Sequence, residues 1–163
     1  MKALIVIDVQ NFFAVEKAAD LPSKIAEHLK KTNYDFVLFT KSRWDPLSNF
    51  NKILHWKGPT ESPAIDIHPE LIPFAKPEMI FEKTTYSAFK SAELLNFLQK
   101  HTITDVTLCG INIDACVLSS AFEAFDLGFN IEVLEGLSSV SSFKDEYVDS
   151  AKVIIKRNLR RKT

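Results

Sequence analysis

The chain has 163 residues, 46% of them hydrophobic, with 20 basic against 21 acidic side chains. That is enough for one domain with a substantial core, expected to span residues 1–163, and a near-zero net charge leaves no broad field for nucleic acid or an anionic membrane surface. No run approaches the length of a membrane span, and the start MKALIVIDVQ is too short and too soon charged for a signal peptide. Two cysteines, Cys109 and Cys116, make no disulfide framework, so a soluble, cytoplasmic protein with free thiols is expected.

In chain order, short apolar strands alternate with amphipathic helices. The strands read ALIVID (3–8), DFVLFT (35–40), EMIFEK (78–83), DVTLCG (105–110) and FNIEVLE (129–135). The helices fall near 20–31, 88–100, 114–127 and 144–160. Asp20 and Pro22 mark the first helix start. Ser87 precedes the second, whose Phe89, Leu94, Leu95 and Leu98 share a face. Asp114 is a candidate cap for the third, and Ser141 or Ser142 for the last, with Asp145 and Glu146 in its first turn. The basic group Lys156, Arg157, Arg160, Arg161 and Lys162 reads as a solvated helix end. Continuous apolar strands separated by helices predict an α/β fold: a three-layer α/β/α sandwich on a mostly parallel, Rossmann-like sheet of about five strands. The connection from residue 41 to 77 is unusually long and holds most of the prolines, both tryptophans and two histidines. Such connections are usually functional. Part of it, Leu47 to Trp56, has the character of a short helix.

Three residues with chemistry stand at or just past the carboxyl ends of apolar runs: Asp8, Lys83 and Cys116. Ligands bind outside those ends in an open parallel sheet. A carboxylate, an ammonium and a thiol in one crevice would make an activated nucleophile with its base and charge partner. The start of a helix favours thiolate, and a nearby cation can bring a cysteine pKa from about 8.5 to roughly 3.5–7.5. Each residue also has a plainer role: a turn aspartate, a solvated lysine, a small buried hydrophobe. Cys109, inside an apolar strand, reads as inert core.

Four stretches, LIVIDVQNFF, EKTTYSAF, GINIDACV and AFEAFDLGFNIEVLEG, resemble the isochorismatase-like cysteine hydrolases, a family that includes nicotinamidases and N-carbamoylsarcosine amidases. The resemblance implies an amidohydrolase of small C–N substrates acting through a thioester. Asp8 would be the acid–base, Lys83 the catalytic lysine and Cys116 the nucleophile. The backbone N–H groups of Asn112, after a cis peptide, and of Cys116 would form the oxyanion hole. Phe13, Trp44 and Tyr86, with Ile113 in the cysteine loop, are expected to line the substrate; Phe12 and Trp56 are further aromatic candidates. A small-molecule substrate, no cofactor and a homo-oligomer of two or more copies are also implied.

Departures from the family pattern are visible. Ile113 stands where a threonine is common, and Phe12 where an acidic residue often stands. The metal-binding Asp-Trp-His-like stretch of nicotinamidases reads Lys41-Ser42-Arg43-Trp44-Asp45-Pro46. Arg43 would repel a cation, and one carboxylate is a poor remnant of a divalent site. No metal is expected; His55 and His68 read as surface or structural residues. The family's closing strand has no counterpart before Thr163, hence five strands. Two other functions compete: a non-catalytic binding module or thiol redox sensor, and hydrolysis of a vinyl ether of the isochorismate type. Members with the latter activity lack the cysteine.

Overall fold

The computed structural model describes residues 1–159. Five parallel strands form one sheet in the order β3-β2-β1-β4-β5. They are β1 (Lys2–Ile7), β2 (Phe36–Ser42), β3 (Ile80–Lys83), β4 (Asp105–Ile111) and β5 (Asn130–Ser139). The helices are α1 (Leu21–Lys31), α2 (Asn49–Lys52), α3 (Ala92–Lys100), α4 (Leu118–Asp126) and α5 (Asp145–Asn158). Among the described residues no helix is long and apolar enough to cross a membrane.

The strand alternation sorts β1 onto two faces. Ala3, Ile5 and Ile7 pack with Leu94 and Leu98 of α3 and Ala121 and Ala124 of α4. Leu4 and Val6 pack on the opposite face with Leu21 and Ile25 of α1 and with Leu71. Ala3 through Ile7 are fully buried, which is why that strand reads as an unbroken apolar run. Topology reverses at the centre: β2 and β3 lie on one side of β1, β4 and β5 on the other. A crevice opens at such a switch point.

Several boundaries differ from expectation. Pro77–Met79 is a 3-10 turn, so β3 holds only Ile80–Lys83. The expected second helix breaks at Ser91, with Ala88–Lys90 as a separate 3-10 turn capped by the Ser87 hydroxyl. The third begins as a π-helical turn, Ile113–Val117. Asp20 stands before α1 without a side-chain cap bond; its carboxylate pairs with Lys24 at 2.6 Å. Asp114 is exposed and supplies no cap. Lys144, not Ser141 or Ser142, precedes α5. Within the expected short helix at 47–56, only Asn49–Lys52 is helical, capped by Ser48. Lys156 pairs with Glu135 at 3.4 Å; Arg160, Arg161 and Lys162 lie outside the described residues.

Gly110 is the tightest point where β4 meets β1. Its φ is +127°, and a Cβ there would sit 2.1 Å from the Ile7 carbonyl oxygen. Backbone cannot yield as a flexible side-chain tip can, so Gly110→Ala should destabilise the fold by ~3 kcal/mol or more, through combined strain and overlap. Gly136→Ala, which meets nothing within 4 Å, should stay within about 0.5 kcal/mol of wild type. Urea denaturation of both variants checks the contrast.

Candidate active site

Asp8 follows the last residue of β1 with a φ of 51°, a left-handed conformation that aspartate tolerates better than most residues. Lys83 ends β3 and Cys116 lies in the π turn after β4. The three meet. Lys83 Nζ is 2.6 Å from Asp8 Oδ2, with side-chain exposures of 1% and 2%, and 3.6 Å from Cys116 Sγ. Its remaining contact is a hydrogen bond to the Thr85 carbonyl, 2.8 Å. The other carboxylate oxygen, Asp8 Oδ1, accepts from the Thr40 hydroxyl at 2.7 Å, while the Asp8 N–H donates to that hydroxyl at 3.2 Å. Asp8 Oδ2 accepts no hydrogen bond of regular geometry beyond the ion-pair contact.

The electrostatics correct one expectation. Burial first, and the Asp8 carboxylate second, push the Cys116 thiol up to about 12, with Lys83 pulling the other way. Desolvation and a like charge outweigh the Lys83 cation, so the thiol is favoured over the thiolate. Burial works against the charge of Lys83, but Asp8 and then Cys116 more than offset it and raise its pKa. Cys109 is fully buried, and burial alone raises its thiol.

The turn that carries Cys116 is anchored by a serine. The Ser120 hydroxyl donates to the Cys116 carbonyl at 2.6 Å and accepts from the Ala88 N–H at 2.9 Å. One buried side chain thus ties the cysteine turn to the segment that follows Lys83. The Asn112 carbonyl accepts from the N–H groups of Ala115 and Val117, and its amide oxygen accepts from the Ser141 N–H and hydroxyl at 2.7 and 2.9 Å. The Ile111–Asn112 peptide is cis.

Rings line the same end of the sheet. Phe12 meets Phe13 edge-on at 5.0 Å, Phe13 stacks near Trp56 at 6.3 Å, and Phe50 contacts both Trp56 at 5.6 Å and Tyr86 at 4.6 Å. Phe13 and Tyr86 therefore belong to one aromatic wall. Trp44 stands outside this run of rings, its indole N–H sealed from solvent with no partner. Ile113 is removed from the substrate-lining set: it is fully buried with Val140, Ala151 and Ile155 under α5. An aliphatic side chain where a threonine is common is drawn into the core. Gln10 fixes the wall's long segment, donating to the carbonyls of Ser42 and Ile65 and accepting from the Ser42 N–H.

Thr40, Ser120 and Phe50 were not anticipated. Thr40 is the lone polar residue ending the apolar run FVLFT, and Ser120 sits one helical turn after Cys116; both signals are weak without the fold. Grooves lie elsewhere as well. One of about 840 Å³ runs along the outer edge of β5 and touches none of the three central residues. One of about 560 Å³ at the end of β3 is lined by Arg43, Lys83, Thr84 and Thr85 among others.

A family model described as the isochorismatase domain matches residues 2–157. The chain belongs to the isochorismatase family. It is 31% identical to the nicotinamidase/pyrazinamidase of Mycobacterium tuberculosis over 85% of this chain and 87% of that protein. The crystal structure of nicotinamidase PncA from Bacillus subtilis superposes with a TM-score of 0.82 at 26% identity, covering 97% of this chain and 96% of the other. A pyrazinamidase of Pyrococcus horikoshii in complex with zinc shares the fold, with a TM-score of 0.77 at 20% identity over 97% and 96% of the two chains. This chain is accordingly an isochorismatase-family hydrolase.

A divalent cation does not fit the residues present. Arg43 pairs with Glu82 at 3.3 Å, Asp45 Oδ1 accepts from the Leu47 N–H in a turn, and His68 Nδ1 accepts from the Glu70 N–H. Among the described residues no three His, Cys, Asp or Glu side chains gather as a ligand set.

A carboxylate that holds the thiol protonated makes an unusual signature. Asp8→Asn removes that carboxylate and leaves the Lys83 cation, so the Cys116 pKa should fall. Iodoacetamide alkylation of Cys116 at pH 8, with Cys109→Ala as background, should speed up by roughly threefold for each pKa unit lost, the tenfold gain in thiolate being partly offset by its lower nucleophilicity. Wild type should alkylate more slowly than free cysteine at that pH. A slower Asp8→Asn variant of intact circular dichroism contradicts the assigned electrostatics.

Proposed function

We propose that the chain is a cysteine-dependent amidohydrolase that cleaves the C–N bond of a small planar amide through a thioester. The observation that carries it is the position of the Lys83 ammonium, 2.6 Å from Asp8 and 3.6 Å from Cys116. That arrangement allows the anion to change atoms without changing the charge of the site. Asp8 takes the thiol proton, Lys83 neutralises sulfur in place of the Asp8 oxygen, and the thiolate then attacks the carbonyl carbon. The carbonyl π pair moves onto oxygen, facing the backbone N–H groups of Asn112 and Cys116; such a donor contributes roughly 2.7–4 kcal/mol to the barrier. The tetrahedral adduct collapses, the C–N bond breaks, and nitrogen leaves with the proton from Asp8. Water then gives its proton to Asp8 and its oxygen to the acyl carbon, and the thiol is restored.

Substrate chemistry follows the wall of rings. Phe13, Trp56, Phe50 and Tyr86 suit a flat aromatic or heteroaromatic amide, and relatives named nicotinamidase support that class. The same proposal includes a homo-oligomer. A redox sensor is less well supported, because the other cysteine, Cys109, is fully buried and cannot serve as a resolving thiol.

Ammonia release should be measured over nicotinamide, pyrazinamide and ureido acids. Wild type should turn over at least one of the ring amides, and Cys116→Ala should lose ~10³-fold or more of that rate, as removal of a nucleophile does. Asp8→Asn and Lys83→Met should be comparably inactive. Each leaves one buried charge unpaired, a loss of about 3–5 kcal/mol, so circular dichroism must accompany the assay. Cys109→Ala should keep its rate within about twofold, since it touches no reacting atom. Retained hydrolysis in Cys116→Ala overturns the covalent scheme.

A further inference from the structure

We infer that Ser141, on the turn between β5 and α5, is a positioning residue for the oxyanion hole, acting through the side chain of Asn112. This rests on the hydrolase mechanism proposed above. Ser141 grips the Asn112 amide oxygen twice, by N–H at 2.7 Å and by hydroxyl at 2.9 Å. The residues beside this pair are also held together. Val140 and Ile113 share one small apolar cluster with Ala151 and Ile155 of α5. The turn therefore holds the Asn112–Ile113 dipeptide by a polar contact and an apolar one, side by side. On its other side, the Asn112 carbonyl is held by the N–H groups of Ala115 and Val117.

These contacts occupy the Asn112 side chain and its carbonyl. The backbone N–H of Asn112 is the group assigned to the substrate oxygen. Its direction follows the Ile111–Asn112 peptide plane, and Ser141 is the contact that holds the Asn112 side chain and so helps to fix that plane. A hydrogen-bond donor aimed at a developing charge works only within a few tenths of an ångström of its target, and a misplacement of about 1 Å can cost ~10²-fold in rate. Ser141 lies 25 residues after Cys116 in the chain and touches neither Asp8, Lys83 nor the thiol. Its effect should appear in the transition state and not in ground-state binding.

Three readouts test this. In ammonia release, Ser141→Ala should lower kcat by ~10-fold or more with KM within about twofold, and Ser141→Thr, which keeps the hydroxyl, should restore most of the rate. The second readout needs no turnover. Pyridine-3-carbaldehyde adds to a thiol: the S–C bond forms, the carbonyl π pair moves to oxygen as an oxyanion, and the thiol proton is held by Asp8. The adduct needs the hole but no leaving group, and Ser141→Ala should weaken it by a factor similar to the fall in kcat. The third is iodoacetamide alkylation of Cys116, which uses no oxyanion donor and should stay within about twofold of wild type.

Aldehyde capture and kcat both unchanged in Ser141→Ala overturn the inference and leave the hydrolase standing. So does a fall in thermal midpoint with kcat unchanged, which marks a purely structural bond. A parallel loss of alkylation overturns it too, since Ser141 would then act on the nucleophile. A wild type that neither captures the aldehyde nor releases ammonia overturns the hydrolase and this inference together.

Discussion

One ion pair organises the molecule. Asp8 and Lys83 are both almost completely out of water, a position in which charges survive only when paired and hydrogen-bonded. Asp8 has the Thr40 hydroxyl on one oxygen, and Lys83 has the Thr85 carbonyl and the cysteine sulfur beside it. The pair is therefore solvated by the protein. Together with burial, the Asp8 carboxylate raises the thiol of Cys116 while Lys83 lowers it. Moving the proton from sulfur to the Asp8 oxygen would keep one anion and one cation in place.

The topology explains why these residue types stand where they do. Asp8 follows the central strand and Cys116 follows β4, its neighbour, so the two flank the switch point directly. Lys83 comes from β3, which is separated from β1 by β2. Adjacent strands lie about 4.8 Å apart, so only a long side chain spans the gap of two. The strand it crosses supplies Thr40, which bonds Asp8 from below. Each of the four strands from β3 to β4 thus gives one group to the site.

Much of this was legible in the sequence, for a physical reason. Buried parallel strands must be continuous apolar runs, and polar residues at their ends are conspicuous against that background; Asp8, Lys83 and Cys116 stood out in that way. Capping was harder to read. A serine or aspartate before a helix can spend its hydrogen bonds elsewhere, as Ser141 does on Asn112 and Asp20 does on Lys24. The thiol's protonation was also opaque. The helix start and the cation are visible in sequence, whereas burial and the nearness of Asp8, which raise the thiol most, exist only in three dimensions. Ile113 illustrates the same limit: its neighbours Val140, Ala151 and Ile155 are far away in the chain.

The aromatic wall is mechanically separable from the buried ion pair in this fold. Trp56 and Phe50 come from the long connection between β2 and β3, which contributes none of the three central residues. That connection is held by Gln10, two residues beyond Asp8, through both ends of its amide. An antiparallel bridge between Gln10 and Ile67 and the bond from the His68 N–H to the Val9 carbonyl add to the hold. The anchor is buried and the rings project beyond it, so substitutions in the connection can reshape the aromatic wall while the charge pair keeps its geometry. Arg43 and Asp45 show how far such change extends. Each is engaged in a local contact of its own, with Glu82 and with the Leu47 N–H. The stretch that carries them is folded into ordinary surface structure.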